Sequence, residues 1–243
     1  TDELDALEDD LGFDIAAVLA RAVEIERAAE ARGEPAVRLR ARLLQADMWQ
    51  RQGHAAAAAR ALREVKAWAT ENDCRPLQAR SDRLLARIYY ALGDSAACLE
   101  YSVSAVQLLD DNTPPLTRSL YLMALAGALN ATGSFEAARE RYQQAERFAV
   151  TGGDFKRQLA VLNNMAYSEL EAGDPDRAWE VVQHLQAVAA EHGQDLNPNY
   201  LDTIALAQIA LGRYADAEET TQAGIRAFAS AWEEEVDSLA QSY

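Results

Sequence analysis

The chain has 243 residues and a formal net charge of −16, which argues against nucleic acid and anionic membrane as partners, since both demand a positive footprint. Apolar residues make up 49% and charged residues 26%, so a sizeable core can be buried and compositional disorder is excluded. Alanine supplies about a fifth of the chain while Gly (12), Pro (6) and Cys (2) are scarce, a balance that favours helix over strand and excludes a collagen or a disulfide scaffold.

Residues 1–10 hold Asp2, Glu3, Asp5, Glu8, Asp9 and Asp10 and read as a solvated acidic N-terminal tail. Residues 11–33 follow as a capping helix, with Leu11, Ile15, Val18, Leu19, Ala22 and Val23 at helical spacing. From residue 34 to 243, helix-breaking residues alternate every twenty positions or so. One set is Gly53, Gly93, Gly133, Gly173 and Gly212, separated by 40, 40, 40 and 39 residues. The other is Gly33 with Pro35, Asn72 to Pro76, Asp111 to Pro115, Gly152–Gly153, and Gly193 to Pro198. Helices of roughly 14–18 residues fit between them, with Asp94, Ser134 and Asp174 placed to cap the helix that follows.

Around each glycine of the first set the residues repeat in size. Eight and seven positions before it stand Gln45–Ala46, Leu85–Ala86, Leu125–Ala126, Met165–Ala166 and Ile204–Ala205; five positions after it stand Ala58, Cys98, Ala138, Ala178 and Ala217. Small residues facing large ones let helix axes approach to about 8–10 Å. One pair cannot bury its apolar face alone, so neighbouring pairs must stack. The prediction for 34–243 is an all-α solenoid of about five antiparallel helix pairs plus the first helix of a sixth. That last helix is opened by the S-x-x-E pattern of Ser230 to Glu233 and runs to Tyr243. Half a pair is not a natural end for stacked repeats, so the polypeptide is expected to continue past Tyr243.

The fixed positions resemble the tetratricopeptide repeat (TPR). Leu125, Ala126, Leu129, Gly133, Ala138, Tyr142 and Ala145 follow its pattern of large, small, aromatic, glycine turn, small, aromatic and small residues, with Leu129 at the first aromatic place. So do Leu85, Ala86, Tyr89, Gly93, Cys98 and Ala105, apart from Ser102 at an aromatic place. Glu169 stands where the family has an aromatic, and Pro175 sits in the turn of that unit. The resemblance spans about residues 36–229 and implies an α-α superhelical solenoid, with a repeat longer than the usual 34 residues. Strings such as GALNATGSFEAARERY and LNNMAYSELEAGD are similar to the N-terminal sensory repeats of bacterial signalling proteins. Diguanylate cyclases are the first group implied and repeat-containing transcription regulators the second.

No nucleotide-binding glycine loop or nucleophile elbow occurs, and Gly152–Gly153–Asp154 reads as a turn rather than as part of a GGDEF signature. His54, His184 and His192 share no metal-ligand spacing; Cys98 reads as a buried structural thiol and Cys74 as a connection residue. No catalytic residue, metal or cofactor is expected. Trp49 and Trp68 are assigned to the core of the first pair, and Trp179 to a second helix, facing outward or toward its neighbour.

In a solenoid of helix pairs the first helix of each pair lines the concave side. The residues expected there are Arg80, Arg83, Arg87 and Tyr90, spaced i, i+3, i+7, i+10; then Met123, Gly127 and Asn130; then Asn163, Asn164 and Tyr167; then Asp202 and Leu206, with Leu43, Asp47 and Gln50 before them. Guanidinium forks suit carboxylates, and asparagines suit an extended backbone, so the expected ligand is a peptide or protein segment with acidic groups, or a small effector. The competing reading is that the arginines pair with Asp47, Asp82 or other neighbouring acids and solvate a face. The functional expectation is a non-enzymatic, cytoplasmic interaction or sensory module attached to an output domain, with a homodimer left open. A free-standing scaffold or adaptor, or the repeat region of a transcription regulator, is the alternative.

Overall fold

The computed structural model describes Leu4 and residues 15–241, with side chains to residue 229. Among the described residues every element is a helix: α1 (Ile15–Arg32), α2 (Pro35–Arg51), α3 (Ala55–Glu71), α4 (Arg75–Ala91), α5 (Ser95–Gln107), α6 (Pro115–Ala131), α7 (Phe135–Thr151), α8 (Phe155–Glu171), α9 (Pro175–Glu191), α10 (Pro198–Ala210) and α11 (Tyr214–Gln241). The all-α architecture of antiparallel pairs is as the glycine grid implies.

The pairs end as their turns require. Gly133 has φ +74°, a left-handed conformation that only glycine adopts without strain, and Ser134 N–H then donates back to Leu129 O at 2.9 Å, closing the end of α6. Asp73 takes the same conformation (φ 51°) between α3 and α4, the one non-glycine among the described residues to do so. Asp94 and Asp174 cap the next helices through Ala97 N–H (3.0 Å) and Arg177 N–H (3.1 Å). Ser134 does not: its side chain caps nothing and lies 3.3 Å from the Thr132 hydroxyl. Gly152–Gly153–Asp154 is a turn, with Asp154 accepting from Arg157 N–H at 2.9 Å.

Two expectations at the ends are corrected. The helix expected to open at Ser230 does not begin there, because α11 runs unbroken from Tyr214 to Gln241. No proline interrupts this stretch and Gly224 alone is too weak a breaker, so the backbone stays helical through Ser230. The acidic tail is not wholly solvated: Leu4 is 1% exposed. Residues 1–3 and 5–14, with the rest of the tail and the first turn of the capping helix, lie outside the described residues.

Packing separates two compact units, residues 1–113 and 114–243. In the first, consecutive helices α1 to α5 pack on one another and the first helices α2 and α4 touch side by side. In the second, α6 to α11 do the same, with α6 against α8 and α8 against α10. The repeated small positions are all buried: Ala46, Ala86, Ala126, Ala166 and Ala205 before the glycines, Ala58, Cys98, Ala138, Ala178 and Ala217 after them. Large residues fill the spaces between, Leu43, Leu62, Leu84, Leu85 and Ile88 in the first unit, Leu159, Leu162, Leu185 and Ile204 in the second. Each such side chain contributes about 1.5–3 kcal/mol on burial. Trp49 and Trp68 are half-buried against the first unit's core, and Trp179 against the second's.

Candidate binding faces on the first helices

In unit 1, Arg80, Arg83 and Arg87 are half-buried on α4 and Tyr90 stands out at 59% exposure. Arg87 donates to Asp47 on α2, forty residues earlier and therefore at the same place in the preceding pair. Asp47 also faces Arg51 at 3.6 Å, so one carboxylate sits between two guanidinium groups. The Asp47 pairing weighed for this row therefore forms at Arg87. Asp82, the other acid considered, points elsewhere. Its carboxylate is fully buried, 2.6 Å from Lys66 Nζ and accepting from Ser104 Oγ at 2.6 Å.

A larger feature escaped the sequence reading. The two first helices of this unit, α2 and α4, carry eight arginines against two aspartates on a chain of net charge −16. The signal was present in residues 38–51, but Arg38, Arg40, Arg42 and Arg51 follow no single helical stripe. Arg42 turns to Glu26 (3.3 Å) and Glu64 (3.2 Å) beside Trp49, and Arg38, Arg42 and Trp68 line a cavity of about 400 Å³ away from the expected row.

In unit 2, Met123 and Asn130 lie on α6, and Asn163, Asn164 and Tyr167 on α8. Asn130 joins the two helices: its amide donates to Glu171 and its carbonyl accepts from Ser168 Oγ at 2.7 Å. Asn163 Oδ1 is buried and accepts no hydrogen bond from the protein, Asn164 is exposed, and Tyr167 is 44% exposed. Leu206 and Ile209 of α10 are also exposed, with Asp202 exposed on the same stripe, so this face is partly apolar and carries no basic residue at the expected positions.

Gly127 belongs to the same face. A Cβ added there would meet only the Tyr142 hydroxyl, at an ordinary 3.7 Å, so tight packing does not explain the glycine. Gly127→Ala is accordingly expected to stabilise the chain by about 0.5–1 kcal/mol, the ordinary gain for a mid-helix glycine. A urea midpoint that falls instead would show a packing role.

Glu169, at the aromatic place of its repeat, is 2% exposed and holds the Arg139 guanidinium through two bonds of 2.6 Å, from Nε and Nη2. Hydrogen bonding to Glu169 raises the affinity of Arg139 for its proton above the ordinary value. Arg139 also binds Glu136, and the pair borders an open cleft of about 660 Å³ at the turns beside Gly133 and Asp174.

Cys98 is buried, which pushes its thiol pKa up, and Cys74 is half-buried. His54, His184 and His192 are exposed; His184 faces Glu146 at 3.6 Å and His192 lies against Phe155. Among the described residues no group of His, Cys, Asp and Glu could hold a metal ion, and no helix is long and apolar enough to cross a membrane.

No family model matches the chain and no curated protein matches it. Solved structures do. BtubC (BKLC) from P. vanneervenii is 20% identical, covers 90% of this chain and 93% of its own, and superposes with a TM-score of 0.72. The nearly identical TPR-like repeats of a kinesin light chain of Podosopora anserina are 23% identical over 80% and 96% of the two chains, with a TM-score of 0.65. A Rap protein in complex with competence and sporulation factor is 15% identical over 91% and 78%, with a TM-score of 0.54. At 23% identity or less these likenesses speak to architecture alone: the chain has the fold of a TPR-like repeat protein.

Proposed function

We propose that the chain is a non-enzymatic interaction module that holds a peptide, protein segment or small effector on the faces of its first helices. The observation that carries this is the segregation of charge. Eight arginines gather on α2 and α4 of an otherwise acidic protein, and only Asp47 and Asp82 oppose them on those helices. Within that excess the α4 arginines Arg80, Arg83 and Arg87 share one stripe; such a row attracts carboxylates, and the guanidinium fork fixes their orientation. Arg80, Arg83, Arg87 and Tyr90 are the residues assigned to an acidic ligand. Met123, Asn130, Asn163, Asn164 and Tyr167 are assigned to uncharged ligand groups in unit 2. The Rap likeness, solved with a bound factor, supports ligand capture by this type of fold.

The test is selection of peptides from a random displayed library on the immobilised chain, followed by fluorescence titration of one selected peptide. Arg83→Glu is expected to weaken an acidic peptide at least tenfold; an unchanged affinity removes the arginine row from the site.

The module is further proposed to be the cytoplasmic regulatory region of a larger bacterial signalling protein whose output is a diguanylate cyclase. The similarity of its repeat strings to sensory repeats supports that reading. A reading frame that encodes a GGDEF domain beyond Tyr243 is the expected result; a different domain there overturns it.

A further inference from the structure

α1 and α3 both pack on α2, and a cavity of about 400 Å³ opens between them. That volume falls in the range of small-molecule sites, roughly 300–1,000 Å³. Its floor is a network of groups committed to one another. Arg42 donates to Glu26 of α1 at 3.3 Å and to Glu64 of α3 at 3.2 Å. Gln45, 2% exposed, donates to the second oxygen of Glu26 at 2.6 Å. The rim is not committed in this way. Arg38 of α2 and Glu30 of α1 line the cavity, and among the described residues neither side chain has an ion-pair or hydrogen-bond partner. Trp68 and Leu39 supply an apolar wall beside them. The cavity thus presents one unmatched cation, one unmatched anion and an indole.

Stacking of the repeats does not require the charged rim. Forty residues on, the places of Glu26, Arg42 and Glu64 are taken by Lys66, Asp82 and Ser104, so the charge at the centre of the floor is reversed. There the junction is closed: Asp82 is fully buried, 2.6 Å from Lys66 Nζ and 2.6 Å from Ser104 Oγ. The places of Glu30, Arg38 and Trp68 hold Thr70, Gln78 and Leu108, without charge or aromatic ring. The same three-helix junction packs there without them, so the two rim charges are not needed to hold the repeats together.

The geometry points to a site for a free α-amino acid with an apolar side chain. The Arg38 guanidinium takes its carboxylate, Glu30 takes its ammonium, and its side chain lies against Trp68 and Leu39. A singly charged ligand matches one rim group and is repelled by the other, whereas a zwitterion matches both. The site stands apart from the row of Arg80, Arg83 and Arg87 on α4 and does not rest on the function proposed for that row.

Titration calorimetry of the full chain with L-leucine, L-methionine and L-phenylalanine is the test. At least one is expected to bind one-to-one, more tightly than about 1 mM. The same molecule without its carboxylate, or without its amine, is expected to bind at least tenfold more weakly. Arg38→Gln and Glu30→Gln leave the Arg42 network in place, and each is expected to weaken the amino acid at least tenfold. Gln78→Ala, at the place of Arg38 one repeat on, is expected to leave affinity within twofold of the parent. No saturable heat from any of the three at about 10 mM overturns the site. Equal affinity for the decarboxylated amine overturns the zwitterion, and unchanged affinity in either rim variant overturns the placement.

Discussion

Glu169→Ala is expected to destabilise the second unit by about 3–5 kcal/mol, the loss that follows when one partner of a buried ion pair is removed. Glu169 and Arg139 lie on successive elements of the array, α8 and α7, and both oxygens of the carboxylate are engaged by the guanidinium. With alanine in place, Arg139 keeps its charge, because nothing within reach of pH lowers an arginine to neutrality. It retains only Glu136, an exposed acid, on its outer side. The family-like aromatic at this place would fill the same space by apolar packing. The double replacement Arg139→Met with Glu169→Leu is therefore expected to recover most or all of the loss. Urea denaturation of the three variants checks both statements. A loss under about 1 kcal/mol for Glu169→Ala, or no recovery in the double variant, contradicts this account of the pair.

The second large effect concerns unit 1. Asp82→Ala is expected to cost about 3 kcal/mol, toward the lower end for a buried pair because the Lys66 ammonium is partly in contact with solvent. Asp82 ties three helices: its own α4, α3 through Lys66 and α5 through Ser104. Lys66 also lies 4.9 Å over the Tyr101 ring, which itself stacks on Tyr89 at 5.4 Å. Truncation leaves the ammonium with the ring alone and the Ser104 hydroxyl without its acceptor. Asp82→Asn keeps an acceptor for Ser104 and removes only the charge, so its loss is expected to be about half as large. Thermal midpoints measured together by circular dichroism decide between them; equal midpoints for Asp82→Ala and the parent would show that the pair contributes nothing.

These two pairs mark where the sequence was readable and where it was not. Helix breaks were legible because glycine in a left-handed turn leaves a local signature, and the buried alanines because their offset from each glycine is constant. Asp73 does the work of glycine without looking like one. Arg139 and Glu169 are thirty residues apart, so their pairing depends on which faces of α7 and α8 meet, and no local pattern reports that. Ser134 and Ser230 show the opposite error: a string that caps helices in many contexts does so only where the backbone turns, and at Ser230 it does not. On the candidate face, the α4 row was visible because Arg80, Arg83 and Arg87 fall at helical spacing. The α2 arginines were not, since they point to different sides of one helix, and neither was the burial of Leu4, whose seat is made by residues from α1 and α2.

Backbone carbon chemical shifts of the isotopically labelled chain test the central claim most directly. The account predicts helical shifts through each of α2 to α10, interrupted at Gly53, Asp73, Gly93, residues 108–114, Gly133, Gly153, Gly173 and Gly193. A stretch of extended shifts within those helices, or a helix that passes unbroken through Gly133, would contradict it.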